Sequence, residues 1–263
     1  MSDKVAVLGP KGTFSESAAL KIYPGAPLEY FDDIEDVFRY AEAGKGPGVV
    51  AIENSLEGSV GNNLESLMRY DVKITGEAVL DIRLYLMAKK GVTKDKIKVI
   101  LSHPHVFGQC REYLSKNYPN AVRQASTSTA EAIREASSRD DAAAVGYRSA
   151  GLLYGLTVLA EGVQDTESQT RFVSISKDAG EGKKTSLIFA VKDEPGALYS
   201  ILKLFSDACL NLTKIESRPS RKKLGEYVFF LDYENKGMPA GEREMLHRKI
   251  IERTTYFKDL GSY

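Results

Sequence analysis

Short apolar runs alternate with amphipathic stretches over the first two thirds of the chain. The runs have the length and the β-branched residues of buried strands, and the stretches between them have helical periodicity. This alternation is typical of parallel sheets covered by helices. The pattern therefore predicts an α/β fold, with helices between strands at residues 5–9, 49–53, 99–102, 142–146 and 171–175.

The segment at residues 72–90 interrupts the alternation with two extended runs, 72–75 and 80–88, separated by Gly76 and charged residues. We expect a crossover between two lobes here. The strand predicted at residues 171–175 follows Gly162, so a second crossover would return the chain to the first lobe and leave a cleft between the lobes. Spacing alone does not distinguish this arrangement from one open sheet.

A polar connection with two glycines follows at residues 177–184 and has no apolar periodicity. It predicts two domains, residues 1–178 and 185–263. The second domain has an apolar helix face formed by Leu198, Ile201, Leu202 and Phe205. Its predicted strands and helices follow the order βαββαβ of a ferredoxin-like domain of about 80 residues. The strands are placed at 186–191, 212–216, 227–233 and 256–260, the second helix at 242–253, and the middle strands are joined through residues 218–223.

Composition narrows the class of protein. The 263 residues are 43% apolar and carry 36 basic and 36 acidic side chains. This balance argues against nucleic acid or an anionic membrane as the main partner. No apolar stretch reaches the length of a signal or membrane segment, so we expect a cytoplasmic protein. Cys110 and Cys209 lie in helical apolar patterns, which predicts reduced, buried thiols.

Two strand ends near the N-terminus carry small polar residues. GPKGTFS at residues 9–15 offers Thr13 and Ser15 at the start of a helix, where an anion or ordinary capping would use them. Its glycine spacing is neither a dinucleotide nor a Walker motif. AIENSLEG at residues 51–58 ends a buried strand with Asn54 and Ser55, which would serve either as substrate contacts or as turn residues.

Two further helix starts follow in the middle of the chain. SHPHVFGQC at residues 102–110 has Ser102 at its lip and Gln109 one to two turns into the helix. Its two histidines have no Asp, Glu or Cys at ligand spacing, so no metal site is predicted. STAEA at residues 128–132 places Thr129 at a helix start, where Ser128 and Glu131 resemble a capping box.

The fifth strand end is Thr170-Arg171-Phe172, which places a hydroxyl beside a guanidinium where the closing strand is predicted to begin. Arginine can bind a carboxylate with two hydrogen bonds, although on a solvated strand it more often has no such role. The five strand ends together are rich in neutral donors and poor in the groups of hydrolytic triads or metal sites. They indicate a cleft that binds an anion.

GPKGTFS, AIENSLEG, SHPHVFGQC, STAEA and TRF occur in the order found in the prephenate dehydratase family, which the chain resembles over its whole length. The segment from PGALYSILKLF to NLTKIESRP resembles the phenylalanine-binding ACT domain of that family. The resemblance implies a two-lobed catalytic domain of the type II periplasmic-binding-protein kind. It also implies the cofactor-free conversion of prephenate to phenylpyruvate in phenylalanine biosynthesis.

The resemblance assigns roles to the residues of these motifs. Thr170 would be the acid or hydrogen-bond donor to the departing hydroxyl, Arg171 would lie near a substrate carboxylate, and Phe172 would support their geometry. The other positions that the family uses around the substrate are Asn54, Ser102 and Gln109, with Thr13, Ser15, Ser55 and Thr129 as weaker anion-binding candidates.

The same resemblance implies that phenylalanine binds between ACT domains, in a homodimer or homotetramer, and inhibits the enzyme. The alternative is an ACT domain that only dimerises the chain. The residues implied at the phenylalanine site are Gly196, Ala197, Leu198, Asn211, Leu212, Glu216, Ser217, Arg218 and Pro219.

Three positions depart from the family pattern: Ser168 stands where an asparagine is usual, Ala51 where a proline is usual, and Cys209 where a glycine is usual. Two other functions are compatible with the motifs. An arogenate dehydratase performs the same elimination on the amino analogue of prephenate. A non-catalytic sensor would bind an aromatic anion in the same kind of cleft without turnover.

Overall fold

The computed structural model describes residues 4–220 and 226–263. The first lobe begins the chain, and short polar caps start its first two helices. Asp33, for example, accepts a hydrogen bond from the backbone N–H of Glu35, which satisfies a donor that the helix itself leaves unpaired. The elements are β1 (Val5–Leu8), α1 (Phe14–Ile22), β2 (Leu28–Phe31), α2 (Ile34–Glu42), β3 (Gly48–Asn54), β4 (Gly58–Ser59), α3 (Gly61–Arg69) and β5 (Lys73–Ile82).

The second lobe follows without a long connection and forms a sheet of its own, in the order β10-β6-β9-β7-β8. Its strands are β6 (Tyr85–Lys89), β7 (Val99–Ser102), β8 (Val122–Ala125), β9 (Ala142–Gly146) and β10 (Leu156–Glu161). A 3-10 turn at Lys94–Lys96 precedes β7, and the helices are α4 (Pro104–Gln109), α5 (Arg111–Asn117), α6 (Thr129–Ser137) and α7 (Arg148–Leu153).

The chain then returns to the first lobe as β11 (Ser168–Ser176). This strand inserts between β3 and β5, which gives the order β2-β1-β3-β11-β5, with β4 paired to β3. The two crossovers and the two-lobed fold predicted from the sequence are confirmed. One detail differs, because β5 is a single strand through Gly76. It pairs with β11 from Ile82 back to Lys73, and this long-range pairing overrides the local break.

The C-terminal domain, for which the sequence predicts an ACT domain, consists of β12 (Lys184–Ala190), α8 (Ala197–Asp207), β13 (Leu212–Pro219), β14 (Tyr227–Glu234), α9 (Ala240–Ile251) and β15 (Tyr256–Ser262). Its sheet has the order β13-β14-β12-β15. The predicted βαββαβ fold is confirmed. Of the predicted connection at residues 218–223, residues 221–223 lie outside the described residues.

Both faces of the ACT sheet are covered within this chain. Leu187, Phe189 and Leu231 belong to the core under α8 and α9. The opposite face joins the core of the first lobe, where Ile188 and Phe230 belong to one buried cluster with lobe residues such as Ile52 and Leu67. Because strand residues alternate between faces, this double coverage explains the nearly continuous apolar run of β12.

The two cysteines have different environments. Cys110 is buried, and burial raises the pKa of its thiol to about 12. The prediction of a buried Cys209 is wrong, because this residue is exposed and has a left-handed backbone with φ of 53° just after α8. No helix formed by residues that the structure describes has the length and apolar character needed to cross a membrane.

Candidate active site

Asn54, Ser168 and Thr170 form a hydrogen-bonded cluster where β3 and β11 pair. Thr170 lies directly opposite Asn54 in the pairing, and Ser168, two residues earlier, projects to the same face. The Asn54 Nδ2 group donates to Thr170 Oγ1 at 2.9 Å and to Ser168 Oγ at 3.0 Å. Thr170 is only 8% exposed, so these bonds are largely shielded from water.

The orientation of the Asn54 amide is fixed from its other side. Its Oδ1 accepts hydrogen bonds from the backbone N–H groups of Leu56 at 2.9 Å and Glu57 at 3.2 Å. An amide oxygen held by two donors must turn its NH₂ group toward the hydroxyls. Thr170 Oγ1 therefore accepts from Asn54, and its own proton remains available to a ligand. Donation to an oxygen also polarises its O–H bond.

Arg171 does not lie in this cluster, which corrects the prediction that it contacts a substrate carboxylate. The strand begins at Ser168 and not at Arg171, so Thr170 and Arg171 are consecutive strand residues and project to opposite faces. The guanidinium donates to Glu77 at 2.7 Å, to Asp232 at 2.5 Å and to the Tyr263 hydroxyl at 2.6 Å. Three of its donors thus have partners within the protein.

Electrostatics keep Arg171 charged in this position. Burial alone would lower its pKa, but the carboxylates of Asp232 and Glu77 and the hydroxyl of Tyr263 outweigh burial and raise the pKa above its ordinary value. Glu77 shows the converse effect. Burial would raise the pKa of its carboxyl, but Lys184 and Arg171 hold that pKa below the ordinary value.

Gln109 meets the first lobe across the mouth of the cleft. Its Nε2 donates to Glu57 Oε1 at 3.1 Å, and His105 contacts the same carboxylate oxygen. Glu57 belongs to the turn that orients Asn54, so this contact connects the second lobe to the cluster of Asn54, Ser168 and Thr170. The structure therefore brings Gln109 near Asn54 through Glu57 and not by a direct bond.

The lobes also meet beside α1. The rings of Phe14 and Tyr147 lie edge to face with centroids 4.2 Å apart, and Ser149 Oγ donates to the Gly12 carbonyl at 2.7 Å. Gly12 has φ of 88°, and a Cβ on it would lie 3.2 Å from the Ala150 backbone. Burial, followed by the charge of Glu57, raises the pKa of Tyr147, so this phenol stays neutral.

Two of the four weaker anion-binding candidates, Thr13 and Ser55, have structural partners. Thr13 is the N-cap of α1 and accepts from Glu16 N–H at 3.4 Å, and Ser55 Oγ accepts from Gln169 N–H at 2.9 Å. Ser15 and Thr129 are partly exposed in the first turns of α1 and α6. Ser128 caps α6 by accepting from Glu131 N–H at 3.1 Å, as the capping-box interpretation predicts.

Ser102 and Phe172 lie in the interior. The Ser102 hydroxyl is fully buried and donates to the Val145 carbonyl at 2.8 Å, so the structure does not bring it to the cleft. Phe172 is 3% exposed and packs in the core between the first-lobe sheet and α1. It packs under the strand that carries Thr170, and the supporting role that the resemblance implies stays a prediction.

Two residues around the cluster were missed by sequence reasoning. Ser168 stood out only as a departure from the family pattern, although its spacing of two from Thr170 on a strand would have placed both on one face. Glu57 lies within a motif that was recognised, but no local signal predicts its contact with a second lobe 52 residues away.

His103 has a local contact, whereas His105 also contacts Glu57 of the first lobe. His103 Nδ1 accepts from His105 N–H at 3.3 Å and caps α4. Within residues 4–220 and 226–263, no group of three or more His, Cys, Asp or Glu side chains could hold a metal ion.

The ACT residues predicted at the phenylalanine site are divided between two faces of β13. Glu216 and Arg218 face the catalytic domain, where Ser59 donates to Glu216 and Arg218 Nη2 donates to the Ser59 carbonyl at 3.4 Å. Ser217 and Pro219 project the other way and are exposed. This differs from the prediction, which grouped all four residues around one ligand between ACT domains.

The remaining residues predicted at that site lie at the two ends of α8. Gly196 is its N-cap with a left-handed φ of 83°, and Ala197 and Leu198 begin the helix. Asn211 Nδ2 donates to Glu234 at 3.3 Å beside the start of β13, where Leu212 is partly buried.

Two family models match this chain. The prephenate dehydratase model covers residues 5–180, and the ACT domain model covers residues 185–244. The bifunctional chorismate mutase/prephenate dehydratase of Aquifex aeolicus is 41% identical over 99% of this chain and 73% of that protein. The prephenate dehydratase of Methanocaldococcus jannaschii is 38% identical over 100% of this chain and 98% of that protein. The arogenate dehydratase/prephenate dehydratase 2 of Arabidopsis thaliana is 36% identical over 99% of this chain and 72% of that protein.

Solved structures share the whole architecture. The prephenate dehydratase of Arthrobacter aurescens in complex with L-Phe superposes with a TM-score of 0.85 at 31% identity, covering 98% of this chain and 89% of that one. A protein described as a quorum quenching acylase, GqqA, superposes with the same TM-score at 25% identity, covering 98% and 96%. Because proteins of different described activity share this fold, the site residues must carry the functional argument.

Proposed function

The chain belongs to the prephenate dehydratase family, and we propose that its cleft converts prephenate to phenylpyruvate, with the hydroxyl of Thr170 assisting loss of the ring hydroxyl. The observation that carries this proposal is the bond of 2.9 Å from Asn54 Nδ2 to Thr170 Oγ1. This bond occupies a lone pair of Thr170 and leaves its proton free to point at the leaving group.

The reaction removes two groups from one ring. The C–C bond to the ring carboxylate breaks, and its electron pair enters the ring as carbon dioxide departs. The ring hydroxyl takes up one proton and leaves as water, which makes the ring aromatic. Thr170 donates a hydrogen bond to that hydroxyl as the C–O bond breaks. A preorganised donor of this kind typically contributes ~10²- to 10³-fold in rate.

Enclosure of the cleft supports the same chemistry. Glu57 with Gln109 on one side, and Phe14 with Tyr147 on the other, join the lobes around the cluster. Water exclusion strengthens hydrogen bonds to a departing oxygen. The starts of α1 and α6 offer unpaired N–H groups for the substrate carboxylates, at Thr13, Ser15 and Thr129.

The ACT domain makes this enzyme sensitive to phenylalanine. A coupling of ~1 to 3 kcal/mol between a regulatory site and an active site would change substrate affinity about 5- to 150-fold. The domains proposed are residues 1–178 for catalysis and 185–263 for regulation, in line with the two family matches. A homodimer or homotetramer is proposed from the family resemblance, with phenylalanine bound between ACT domains.

The test is turnover by the purified chain, with prephenate and arogenate compared as substrates and phenylalanine added in a second series. We expect phenylpyruvate from prephenate and less of it when phenylalanine is present. Faster turnover of arogenate would reassign the substrate, as the similarity to the plant arogenate dehydratases allows. Absence of turnover on both substrates would overturn the proposal in favour of a binding protein.

A further inference from the structure

Arg171 is bound mainly by the ACT domain although it belongs to a catalytic strand. Its side chain is 11% exposed. Its two ACT partners, Asp232 and Tyr263, are both in contact with a third ACT residue, Ser186. Ser186 Oγ donates to Asp232 at 2.6 Å and lies 2.7 Å from the Tyr263 hydroxyl. The guanidinium therefore sits in a socket built from β12, β14 and the residue after β15.

Glu53, the residue before Asn54, also contacts the ACT domain. Glu53 precedes Asn54 on β3, and its carboxylate lies 3.3 Å from Lys214 Nζ of β13 and 3.6 Å from Arg171 Nη1. Lys214 also donates to Ser59 Oγ on β4 at 2.8 Å. Glu53 and Arg171, which adjoin Asn54 and Thr170 in the chain, thus both bond to the ACT sheet.

We propose that Arg171 is a positioning residue through which the ACT domain sets the alignment of Thr170 with Asn54, so that phenylalanine acts on turnover along this path. The inference rests on the proposed function. Thr170 and Arg171 share one peptide unit, so a shift of the ACT sheet that pulls the guanidinium also rotates the Thr170 hydroxyl. A misplacement of about 1 Å at a reacting group can lower a rate ~10²-fold.

Two features of β11 favour transmission at this point. Its pairing with β3 has a register shift between Arg171 and Phe172, where Ile52 is the extra residue on β3, so the ladder is irregular and bent close to Thr170. The domains also share an apolar core, and apolar contact is non-directional. The socket around Arg171, in contrast, has directional charged hydrogen bonds.

The experiment follows the Thr170 side chain directly. The chain is labelled with ¹³C in threonine methyl groups, the Thr170 signal is assigned with Thr170→Ser, and phenylalanine is titrated in. The variants are Asp232→Asn, which keeps the shape of the socket, and Tyr263→Phe, which removes one bond to Arg171. The matched control is Lys258→Met, because Lys258 also joins the domains, through the carbonyls of Leu67 and Tyr70.

In the parent chain we expect phenylalanine to shift the Thr170 methyl signal and to lower kcat. In Asp232→Asn the shift should be lost, and the ratio of kcat without and with phenylalanine should fall at least about fivefold, the lower end of typical coupling. The dissociation constant of phenylalanine, measured by calorimetry, should change by a smaller factor than the ratio of the two kcat values. Tyr263→Phe should show a smaller loss, and Lys258→Met should keep the parent shift and ratio.

Three outcomes would overturn the inference: an unshifted Thr170 signal in the parent, a parent-like shift in Asp232→Asn, or an equal loss in Lys258→Met. The last would mean that any weakening of the domain contact has the same effect. A parent chain without turnover refutes the proposed function, whereas the methyl shift still decides whether the ACT domain reaches Thr170.

Discussion

The two faces of the β3–β11 pair carry opposite chemistry on one backbone. On the cleft face, Asn54, Ser168 and Thr170 are neutral and joined by hydrogen bonds of 2.9 and 3.0 Å. On the other face, Glu53 and Arg171 belong to a network of charges shared with the ACT domain. Because side chains alternate along a strand, the Thr170 hydroxyl, whose proton must stay available, lies on one face. The charged groups of Glu53 and Arg171, which need partners, lie on the other. Variants on the cleft face should therefore affect turnover, and variants on the charged face should affect stability.

The charged face gives the largest predicted effect. Arg171→Leu should lower the free energy of unfolding by about 3 to 5 kcal/mol, because Asp232 would keep a buried charge without its cationic partner and Glu77 would keep only Lys184. Urea unfolding of the whole chain measures this. Lys203→Met is the matched control, since Lys203 pairs with Asp207 on the surface and such pairs contribute about 0.5 kcal/mol or less. Equal stability of the two variants would remove the distinction between the faces.

The cleft face gives the next effect, on rate. Thr170→Ala should lower kcat ~10²- to 10³-fold through loss of the preorganised donor, and lower the free energy of unfolding by only about 1 kcal/mol. Thr170→Ser, which keeps the hydroxyl, should recover most of the rate. Thr157→Ala on the exposed edge strand β10 is the control. If Thr170→Ala turned over as fast as the parent, Thr170 would have no part in the chemistry.

The cleft residues were largely accessible from the sequence, whereas the charged face was not. Asn54 and Thr170 belong to motifs at predicted strand ends, and α/β sheets bind their ligands at such ends. The true start of β11 at Ser168 depends on pairing with Asp81 and Ile82, about 85 residues earlier in the chain. A strand predicted to begin only at residue 171 does not show that Thr170 and Arg171 project to opposite faces, so the sequence did not place Arg171 outside the cleft.

Strand β13 of the ACT domain shows the same limit of prediction from sequence. The sequence of β13 predicts a strand, but its alternation has meaning only once the covering surface is known. Glu216 and Arg218 face Ser59 of the catalytic domain, whereas Ser217 and Ile215 face outward. A domain contact made by residues far apart in sequence leaves no periodic signal, so the predicted phenylalanine contacts mixed both faces.

Ser168→Ala tests the cleft face at its edge. Asn54 would lose one of two acceptors, and a hydrogen bond of this kind contributes about 0.5 to 1.5 kcal/mol. We expect kcat to fall about 3- to 10-fold and the free energy of unfolding to fall by about 0.5 to 1.5 kcal/mol. Steady-state kinetics of Ser168→Ala and of Ser138→Ala, a control at the end of α6, measure the difference. A loss as large as that of Thr170→Ala would make Ser168 an equal partner in the reaction.

The two faces should also differ in their response to acid. The pKa of Glu77 is held below its ordinary value of 4.5 because Lys184 and Arg171 outweigh its burial. Stability from a depressed carboxyl pKa is fully present above the unfolded pKa and is lost as pH falls through the folded pKa. The parent should therefore lose stability below about pH 4.5, with a slope from this group of at most ~1.4 kcal/mol per pH unit. Glu77→Gln should remove that part of the slope in urea unfolding at several pH values. Thr170→Ser, which changes no charge, should leave the slope unaltered, and an altered slope there would mean that the two faces do not titrate independently.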